Sequence, residues 1–315
     1  MQLFTKKRLF ALAIVVVALL ATNAFFLWDA QQLSDKAVMS FRPVFNTTQA
    51  YILPLSDPNY LPILDTAIDR PIVKAKSALV YDSRSGRVLF SQNPSVRLPI
   101  ASLTKILSAV VVLERFNQSD IAVIGKESVK VDGTRQDLFV NEQISVANLL
   151  QMMFVGSSND AAYALATYAS THDIDFVGAM NEKAVQIGMR NSHFLDPAGL
   201  NDQAHSTAED FVRLIMYALR YDALWTGSDQ KELTLSSADA KFTHTITNTD
   251  ELVGVIADLY GGKTGYTETA LGCLVLVTNV PGQDTKVVSI VLGSPDRFGE
   301  SKTLVDWVRT AYRWQ

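Results

Sequence analysis

The sequence predicts an α+β fold, in which an antiparallel β-sheet is flanked by helices and carries an inserted helical subdomain. Strand patterns occur near residue 78 and again near residue 273, and segments with helical periodicity lie between them. Strands at both ends of a domain with helices between them favour this arrangement. With 48% hydrophobic and 19% charged residues, the composition is typical of a globular protein with a substantial core.

The first predicted element is a hairpin. Ala78–Tyr81 is a run of strand formers, Asp82–Gly86 contains turn residues, and Arg87–Phe90 is the return strand. A helix should follow, because apolar residues then recur with the three- and four-residue spacing of one helix face. Those residues are Leu103, Ile106, Leu107, Val110 and Val111. Ser102 should therefore sit close to the start of this helix.

Helical patterns continue through the middle of the chain, where Gly156 stops one helix and Ser206-Thr207 caps another. The pattern then returns to strands at Cys273–Val277 and Lys286–Leu292, which flank a predicted turn. The predicted helices are Val146–Val155, a segment over about 159–168, Phe176–Ile187, Ala208–Arg220 and a last one over about 298–313.

The amino terminus predicts a membrane anchor. Residues 1–8 end in three basic side chains, and residues 9–28 are apolar except for Thr22 and Asn23. About 20 apolar residues are enough to span a bilayer as a helix. The positive-inside rule then places residues 1–8 in the cytoplasm and the rest of the chain outside it, as a single-pass protein of the cell membrane.

A cleaved signal peptide is the alternative, and it would release the protein after export. We favour the uncleaved anchor, because the apolar run continues to Trp28 and Ala21 and Ala24 fit a cleavage site poorly. Residues 29–74 are predicted to be a linker, because prolines interrupt regular structure there. This leaves residues 75–315 as the globular domain.

Composition also argues against several functions. The net charge is −4 and no basic tract interleaved with aromatics occurs in the body of the chain, so nucleic-acid binding is not expected. Cys273 is the single cysteine, which excludes an intrachain disulfide. The four histidines form no close metal-ligand pair, so we expect neither a metal nor a cofactor.

Ser102-Leu103-Thr104-Lys105 is the first candidate catalytic motif. Ser102 and Lys105 are three residues apart at a helix start, which places their side chains on one face of the helix. The helix amino terminus favours negative charge on the hydroxyl, and a desolvated lysine can lose its proton and act as a base. Alone the motif is weak, since it occurs by chance about once in 250 to 300 residues at average composition.

Two further motifs are weak in isolation, where plain turns explain them better than catalysis does. In Ser157-Ser158-Asn159, a hydroxyl could relay a proton and the Asn159 amide could hold Lys105 or a substrate amide. In Lys263-Thr264-Gly265, the lysine and the threonine hydroxyl could bind a carboxylate. Gly265 would let a substrate backbone approach closely.

Together, in this order and context, the three motifs resemble the signature set of penicillin-binding proteins and class A β-lactamases. Residues 78–106, 180–202, 206–215 and 261–275 resemble the D-alanyl-D-alanine carboxypeptidases in particular. The resemblance covers about residue 75 to the end. It implies a β-lactamase/transpeptidase-like fold and an enzyme that removes the terminal D-alanine from peptidoglycan stem peptides. It also implies that β-lactam antibiotics are covalent inhibitors.

The resemblance assigns roles by motif. Ser102 would form the acyl-enzyme and Lys105 would accept its proton, with Ser157 and Asn159 as the second catalytic element. The backbone N–H groups of Ser102 and Tyr266 would form the oxyanion hole, and Lys263 and Thr264 would bind the terminal carboxylate. The residues assigned to substrate binding are Lys263, Thr264, Gly265, Tyr266 and, as a looser match, Arg297.

Two departures from the family pattern occur. Leu271 stands where the family usually has glycine, so the strand after Lys263-Thr264-Gly265 is expected to lie differently. Many members also carry a carboxyl-terminal β domain and an amphipathic membrane helix. Neither is visible before Gln315, so the amino-terminal segment is expected to provide the anchor.

Three alternative functions stay open. One is a β-lactamase, although residues 194–201 contain no Glu-x-x-Leu-Asn-like sequence. A second is a D,D-endopeptidase that cuts D-alanyl cross-links. The third is a catalytically silent protein that binds the cell wall, against which the intact Ser102, Lys105 and Lys263 argue.

Overall fold

A computed structural model describes residues 61–131 and 138–314, and all structural statements below concern these ranges. The strands are β1 (Ile63–Leu64), β2 (Ser77–Asp82), β3 (Val88–Gln92), β4 (Leu98–Pro99), β5 (Ile121–Val123), β6 (Gln143–Ser145), β7 (His205–Ser206), β8 (Glu232–Ser236), β9 (Thr243–Thr247), β10 (Leu259–Thr267), β11 (Leu271–Asn279), β12 (Lys286–Ser294) and β13 (Tyr312–Arg313). The α-helices are α1 (Thr104–Arg115), α2 (Val146–Phe154), α3 (Asn159–Ser170), α4 (Phe176–Gln186), α5 (Ala208–Ala218), α6 (Asp222–Trp225) and α7 (Arg297–Ala311).

A five-stranded antiparallel sheet in the order β10-β11-β12-β2-β3 organises the fold. The early hairpin β2–β3 joins the late strands because β12 pairs with β2, with Ser289 opposite Val80. The segment between β3 and β10 is consequently an insertion, and it contains helices α1 to α6. This arrangement confirms the predicted α+β class with a helical insertion.

The sheet is covered on both faces. Alternate residues of β12 point to opposite sides, as the period of a strand requires. Val288 and Ile290 belong to the core cluster that contains α1 and α5, whereas Val287 and Val291 pack in the cluster that contains α7. Both faces of β11 and β12 are buried, which explains why these strands read as continuous apolar runs.

Helix α1 is the centre of the larger cluster. Ile106, Leu107 and Val110 on its apolar face are fully buried, as their spacing predicted. Burial of such a side chain stabilises the fold by about 1.5–3 kcal/mol relative to exposure. Because this helix is held on all sides, the residues at its amino-terminal end have fixed positions, and Ser102 is among them.

The structure also extends the domain toward the amino terminus. Strand β1, which lies in the segment predicted to be a linker, pairs with β13 near the end of the chain. Val73 is buried in the cluster beneath α7. The folded part therefore begins before residue 75. In the two described ranges no helix is long and apolar enough to cross a membrane, and the predicted anchor over residues 9–28 lies outside those ranges.

Leu271 leaves the pairing between β10 and β11 regular. Strands β10 and β11 pair in continuous register from Gly261 to Thr267, with Thr267 opposite Leu271. Leu271 itself has a φ of +57°, in the left-handed region that favours glycine. The side chain is accommodated at a local conformational cost, and β11 shifts its register against β12 directly after it, between Gly272 and Leu274.

Candidate active site

Ser102 lies in a strained turn immediately before α1. A 3-10 turn spans Ala101–Leu103, and α1 begins at Thr104, two residues later than the nucleophile candidate. Ala101 has a φ of +48°, which is costly for a residue with a side chain. Ile100 and Leu103 are fully buried on either side of Ala101 and Ser102. This packing holds the turn in its strained form and leaves Ser102 facing the cleft.

Lys105 is fully buried and lies directly behind Ser102. Its Nζ donates hydrogen bonds to Ser102 Oγ at 2.8 Å, Asn159 Oδ1 at 2.8 Å and the carbonyl oxygen of Ala198 at 2.9 Å. Burial lowers the pKa of Lys105 to about 7, although the negative charge of Asp196 acts in the opposite direction. A lysine with this pKa is partly neutral near pH 7 and can take a proton from the serine hydroxyl.

The Ser157-Ser158-Asn159 motif divides its functions between the site and the fold. Ser158 caps α3, since its Oγ accepts a hydrogen bond from the Ala161 N–H at 3.2 Å. Ser157 has a φ of +59° and its Oγ accepts from Lys263 Nζ at 2.9 Å. Asn159 meets Lys105 instead. The motif therefore connects the two lysines of the site.

Lys263 is buried on the edge strand β10, with 1% of its surface exposed. Besides Ser157 it donates to the carbonyl oxygen of Thr264 at 3.0 Å. The Thr264 hydroxyl lies 2.6 Å from that of Thr249, a residue that sequence analysis did not select. Asp250 follows it, and burial raises the pKa of its carboxyl to about 6, while the nearby charges of Lys263 and Arg297 oppose this rise.

Gly265 is needed because β10 passes against the nucleophile turn. A Cβ at this position would lie 3.0 Å from the carbonyl oxygen of Ile100 and 3.1 Å from the backbone N of Ser102. Such distances are shorter than ordinary van der Waals contacts. The sequence predicted that this glycine admits a substrate backbone, and in the structure it admits the backbone around Ser102.

These elements enclose a cleft of about 330 Å³. Arg297 lies on its wall at the start of α7, with its guanidinium carbon 5.8 Å from the centre of the Tyr266 ring. Arg297 on the wall, together with the buried Lys263 ammonium that donates to the lining residue Ser157, makes this part of the cleft suitable for an anionic group. The residues that line it are Ser102, Ser157, Asn159, Gly199, Leu200, Thr249, Thr264, Gly265, Tyr266, Thr267 and Arg297.

The loop over residues 196–201 is the part of the site that sequence analysis missed. Gly199 in this loop has a φ of +80°, and a Cβ there would lie 1.9 Å from the carbonyl oxygen of Ala101. The loop is thus in direct contact with the nucleophile turn. Asp196-Pro197-Ala198-Gly199 has the composition of a tight turn, which predicts the bend and gives no indication of its neighbours.

A serine at a buried helix start, with a buried lysine at hydrogen-bond distance and a second lysine on an adjoining edge strand, defines the serine acyl-enzyme class with the penicillin-binding fold. The family model described as D-alanyl-D-alanine carboxypeptidase matches residues 65–296. The chain belongs to this family of serine hydrolases.

Similar proteins are named as endopeptidases, carboxypeptidases or transpeptidases. A D-alanyl-D-alanine endopeptidase of Pseudomonas aeruginosa is 33% identical over 238 residues, which are 74% of this chain and 77% of the relative. The D-alanyl-D-alanine carboxypeptidase DacF of Bacillus subtilis is 28% identical, over 76% of this chain and 63% of its own length. Among solved structures, the Streptomyces K15 DD-transpeptidase has a TM-score of 0.71 at 25% identity, covering 77% of this chain and 100% of that chain.

Proposed function

We propose that this protein is a serine-type D-alanyl-D-alanine carboxypeptidase that removes the terminal D-alanine from peptidoglycan stem peptides. The observation that carries the proposal is the position of Lys105. Its Nζ is fully buried, lies 2.8 Å from Ser102 Oγ and has a pKa lowered by burial to about 7. A base of this kind beside a serine hydroxyl is what acyl-enzyme chemistry near neutral pH requires.

The proposed reaction has two halves. Lys105 Nζ takes the Ser102 proton while Oγ attacks the carbonyl carbon of the penultimate D-alanine, and the backbone N–H groups of Ser102 and Tyr266 donate hydrogen bonds to the oxyanion. The C–N bond then breaks, and the proton passes from Lys105 by way of the Ser157 hydroxyl to the departing amine. Water, deprotonated by Lys105, next attacks the ester, the bond to Oγ breaks, and Ser102 regains its proton.

The terminal carboxylate of the substrate is proposed to bind between Lys263, Thr264 and Arg297. Thr264 and Thr249 support this, because both line the cleft and their Oγ1 atoms lie 2.6 Å apart, within hydrogen-bond distance. β-Lactams present a comparable carboxylate next to a reactive carbonyl. A fluorescent penicillin should therefore label the wild type and not Ser102→Ala, and equal labelling of both would remove Ser102 from its role.

A D,D-endopeptidase is the second candidate. Relatives named D-alanyl-D-alanine endopeptidase include those of Pseudomonas aeruginosa, at 33% identity, and Haemophilus influenzae, at 37% identity. Both activities use the same acyl-enzyme chemistry and differ in the group that leaves. Incubation with pentapeptide monomers and with cross-linked dimers, followed by mass spectrometry, distinguishes them. Release of free D-alanine from monomers supports the carboxypeptidase, and conversion of dimers to monomers alone supports the endopeptidase.

A β-lactamase is less consistent with the loop over residues 196–201. Class A β-lactamases activate the deacylating water with a glutamate carboxylate. Here the loop carboxylate, Asp196, already accepts four backbone N–H groups. We therefore expect slow turnover of nitrocefin, with stable labelling of Ser102. Sustained turnover would favour the β-lactamase.

We also propose that residues 9–28 anchor the enzyme in the cell membrane with the catalytic domain outside. The length of the apolar run, which only Thr22 and Asn23 interrupt, supports the span, and the preceding basic residues support its orientation. Mass spectrometry of the amino terminus of the native protein is the test. A mature terminus between residues 22 and 32 would show that the segment is cleaved.

A further inference from the structure

Asp196 is the first residue of the loop over residues 196–201, which meets the nucleophile turn, and it is buried with 8% of its surface exposed. Its Oδ1 accepts backbone N–H groups of Ala198 at 2.7 Å, Gly199 at 2.6 Å and Leu200 at 3.2 Å. Its Oδ2 accepts the N–H of Asn201 at 2.8 Å. A single carboxylate thus organises four consecutive amides, so the shape of the loop depends on this side chain.

The loop is in turn attached to α1 at two successive carbonyl groups. Ala198 supplies the carbonyl oxygen that accepts from Lys105 Nζ at 2.9 Å. The preceding carbonyl, of Pro197, accepts from Ser108 Oγ at 2.7 Å, one helical turn beyond Lys105. One of the three hydrogen bonds that orient the lysine is therefore supplied by a loop that Asp196 shapes.

The charge of Asp196 also reaches the lysine. Lys105 has neutral hydrogen-bond acceptors, namely a hydroxyl, an amide and a carbonyl. Asp196 is the carboxylate whose field favours its protonated form. The same field acts on Tyr163 of α3, where burial and then Asp196 raise the pKa of the phenol. The carboxylate is thus near enough to influence two titratable groups on different helices.

We propose that Asp196 is a positioning residue for Lys105: it fixes the carbonyl that orients the lysine, and its charge sets the pH range in which the lysine is a base. The inference deepens the proposed function and rests on it. Burial alone would keep Lys105 neutral across a wider pH range. The carboxylate instead keeps part of the population protonated near neutral pH, so that the group can both accept and return a proton.

Asp196→Asn is the variant that tests this. The asparagine keeps one oxygen for the amides of Ala198, Gly199 and Leu200, while its NH₂ group replaces the acceptor of the Asn201 N–H. The rate of Ser102 acylation should be measured at saturating fluorescent penicillin between about pH 5 and pH 9. Saturation separates acylation from binding, and this matters because Asp250 titrates beside Lys263 with a pKa of about 6.

The acidic limb of the profile should move to lower pH by about 0.5 to 1 unit, because the protonated lysine loses a favourable charge. Asp202→Asn is a matched control in the same stretch of chain. Its carboxylate bonds to the hydroxyls of Thr267 and Thr269, so the midpoint should stay where it is in the wild type. If Asp196 had only a structural role, its substitution would lower the plateau rate of acylation without moving the pH midpoint of the profile.

An unchanged midpoint in folded Asp196→Asn, whatever its plateau, overturns the inference. The melting temperature of the variant establishes that it is folded. Failure of the proposed function has a different signature, since wild-type Ser102 would then not be labelled at any pH. Asp196→Ala adds a second measurement, because it removes all four loop hydrogen bonds. The plateau rate of acylation in Asp196→Ala should fall about 10- to 100-fold, because Lys105 is misplaced.

Discussion

Removal of the Lys263 ammonium should impair the enzyme through the charge of its substrate. Lys263 is 1% exposed, so a carboxylate bound beside it would be largely withdrawn from water. Truncating one member of a desolvated charge pair costs about 2–5 kcal/mol, which corresponds to about a 30- to 5,000-fold loss in kcat/KM. Arg297 on the cleft wall supplies a second positive charge, so we expect the loss in Lys263→Ala to fall in the lower half of that range.

Lys263 also contacts Ser157, so the assay must distinguish the loss of that contact from the loss of the contact with the substrate carboxylate. Lys263 Nζ donates to Ser157 Oγ at 2.9 Å, so its loss also disturbs a hydroxyl proposed to relay the proton. Peptides ending in a free D-alanine carboxylate should be compared with the same peptides ending in the amide. Lys263→Ala should slow the free acid far more than the amide, because the amide does not use the charge.

Lys241→Ala is the matched control for this comparison. Its ammonium pairs with Asp239 at the surface, with 73% of the side chain exposed, and both substrates should be cleaved at the wild-type rate. If Lys263→Ala slows acid and amide by the same factor, the lysine acts on the proton relay or on the fold, and the carboxylate assignment is wrong.

Three other predictions concern residues beside the site. Gly265→Ala should lower acylation about 10- to 100-fold in a folded protein, because the new Cβ displaces the Ser102 turn by a few tenths of an ångström; a wild-type rate would contradict the close approach. Asp250→Asn should gain stability relative to wild type by up to about 3 kcal/mol as the pH rises from about 4 to about 6 in urea unfolding, and should keep that gain at higher pH, because a buried carboxyl whose pKa is raised to about 6 ionises later in the folded state than in the unfolded state. Leu271→Gly should be more stable than Leu271→Ala by about 1 kcal/mol, the reverse of the usual order in strands, because φ is positive there.

Regular elements were predictable where one physical pattern dominated. The spacing of Ile106, Leu107 and Val110 indicated the buried face of α1, and the apolar runs at β11 and β12 indicated strands with two covered faces. The hairpin β8–β9 was not predicted. Its strands bury only alternate residues and are rich in threonine and serine, so their local apolar signal is weak.

Some residues of the site could likewise be predicted from the sequence, and others could not. Residues in the three motifs could be selected because serine, lysine and asparagine at those spacings suggest chemistry. Asp196 and Thr249 could not, since an aspartate or a threonine in a turn usually satisfies its own backbone. Their importance depends on contacts between distant parts of the chain, because the Ala198 carbonyl in the Asp196 loop meets Lys105 of α1 and Thr249 meets Thr264 of β10. Only the folded chain brings those contacts together.

The two buried lysines illustrate how neighbours assign different tasks to one residue type. Lys105 has neutral acceptors within hydrogen-bond distance, and burial outweighs the opposing effect of Asp196, so its pKa falls to about 7 and it suits proton transfer. Lys263 has the Asp250 carboxyl and Arg297 as charged neighbours. Above about pH 6 the ionised Asp250 leaves this group of three with one net positive charge. A substrate carboxylate would bring that charge to zero, whereas an amide would leave it uncompensated, and preference for the free acid follows from this balance.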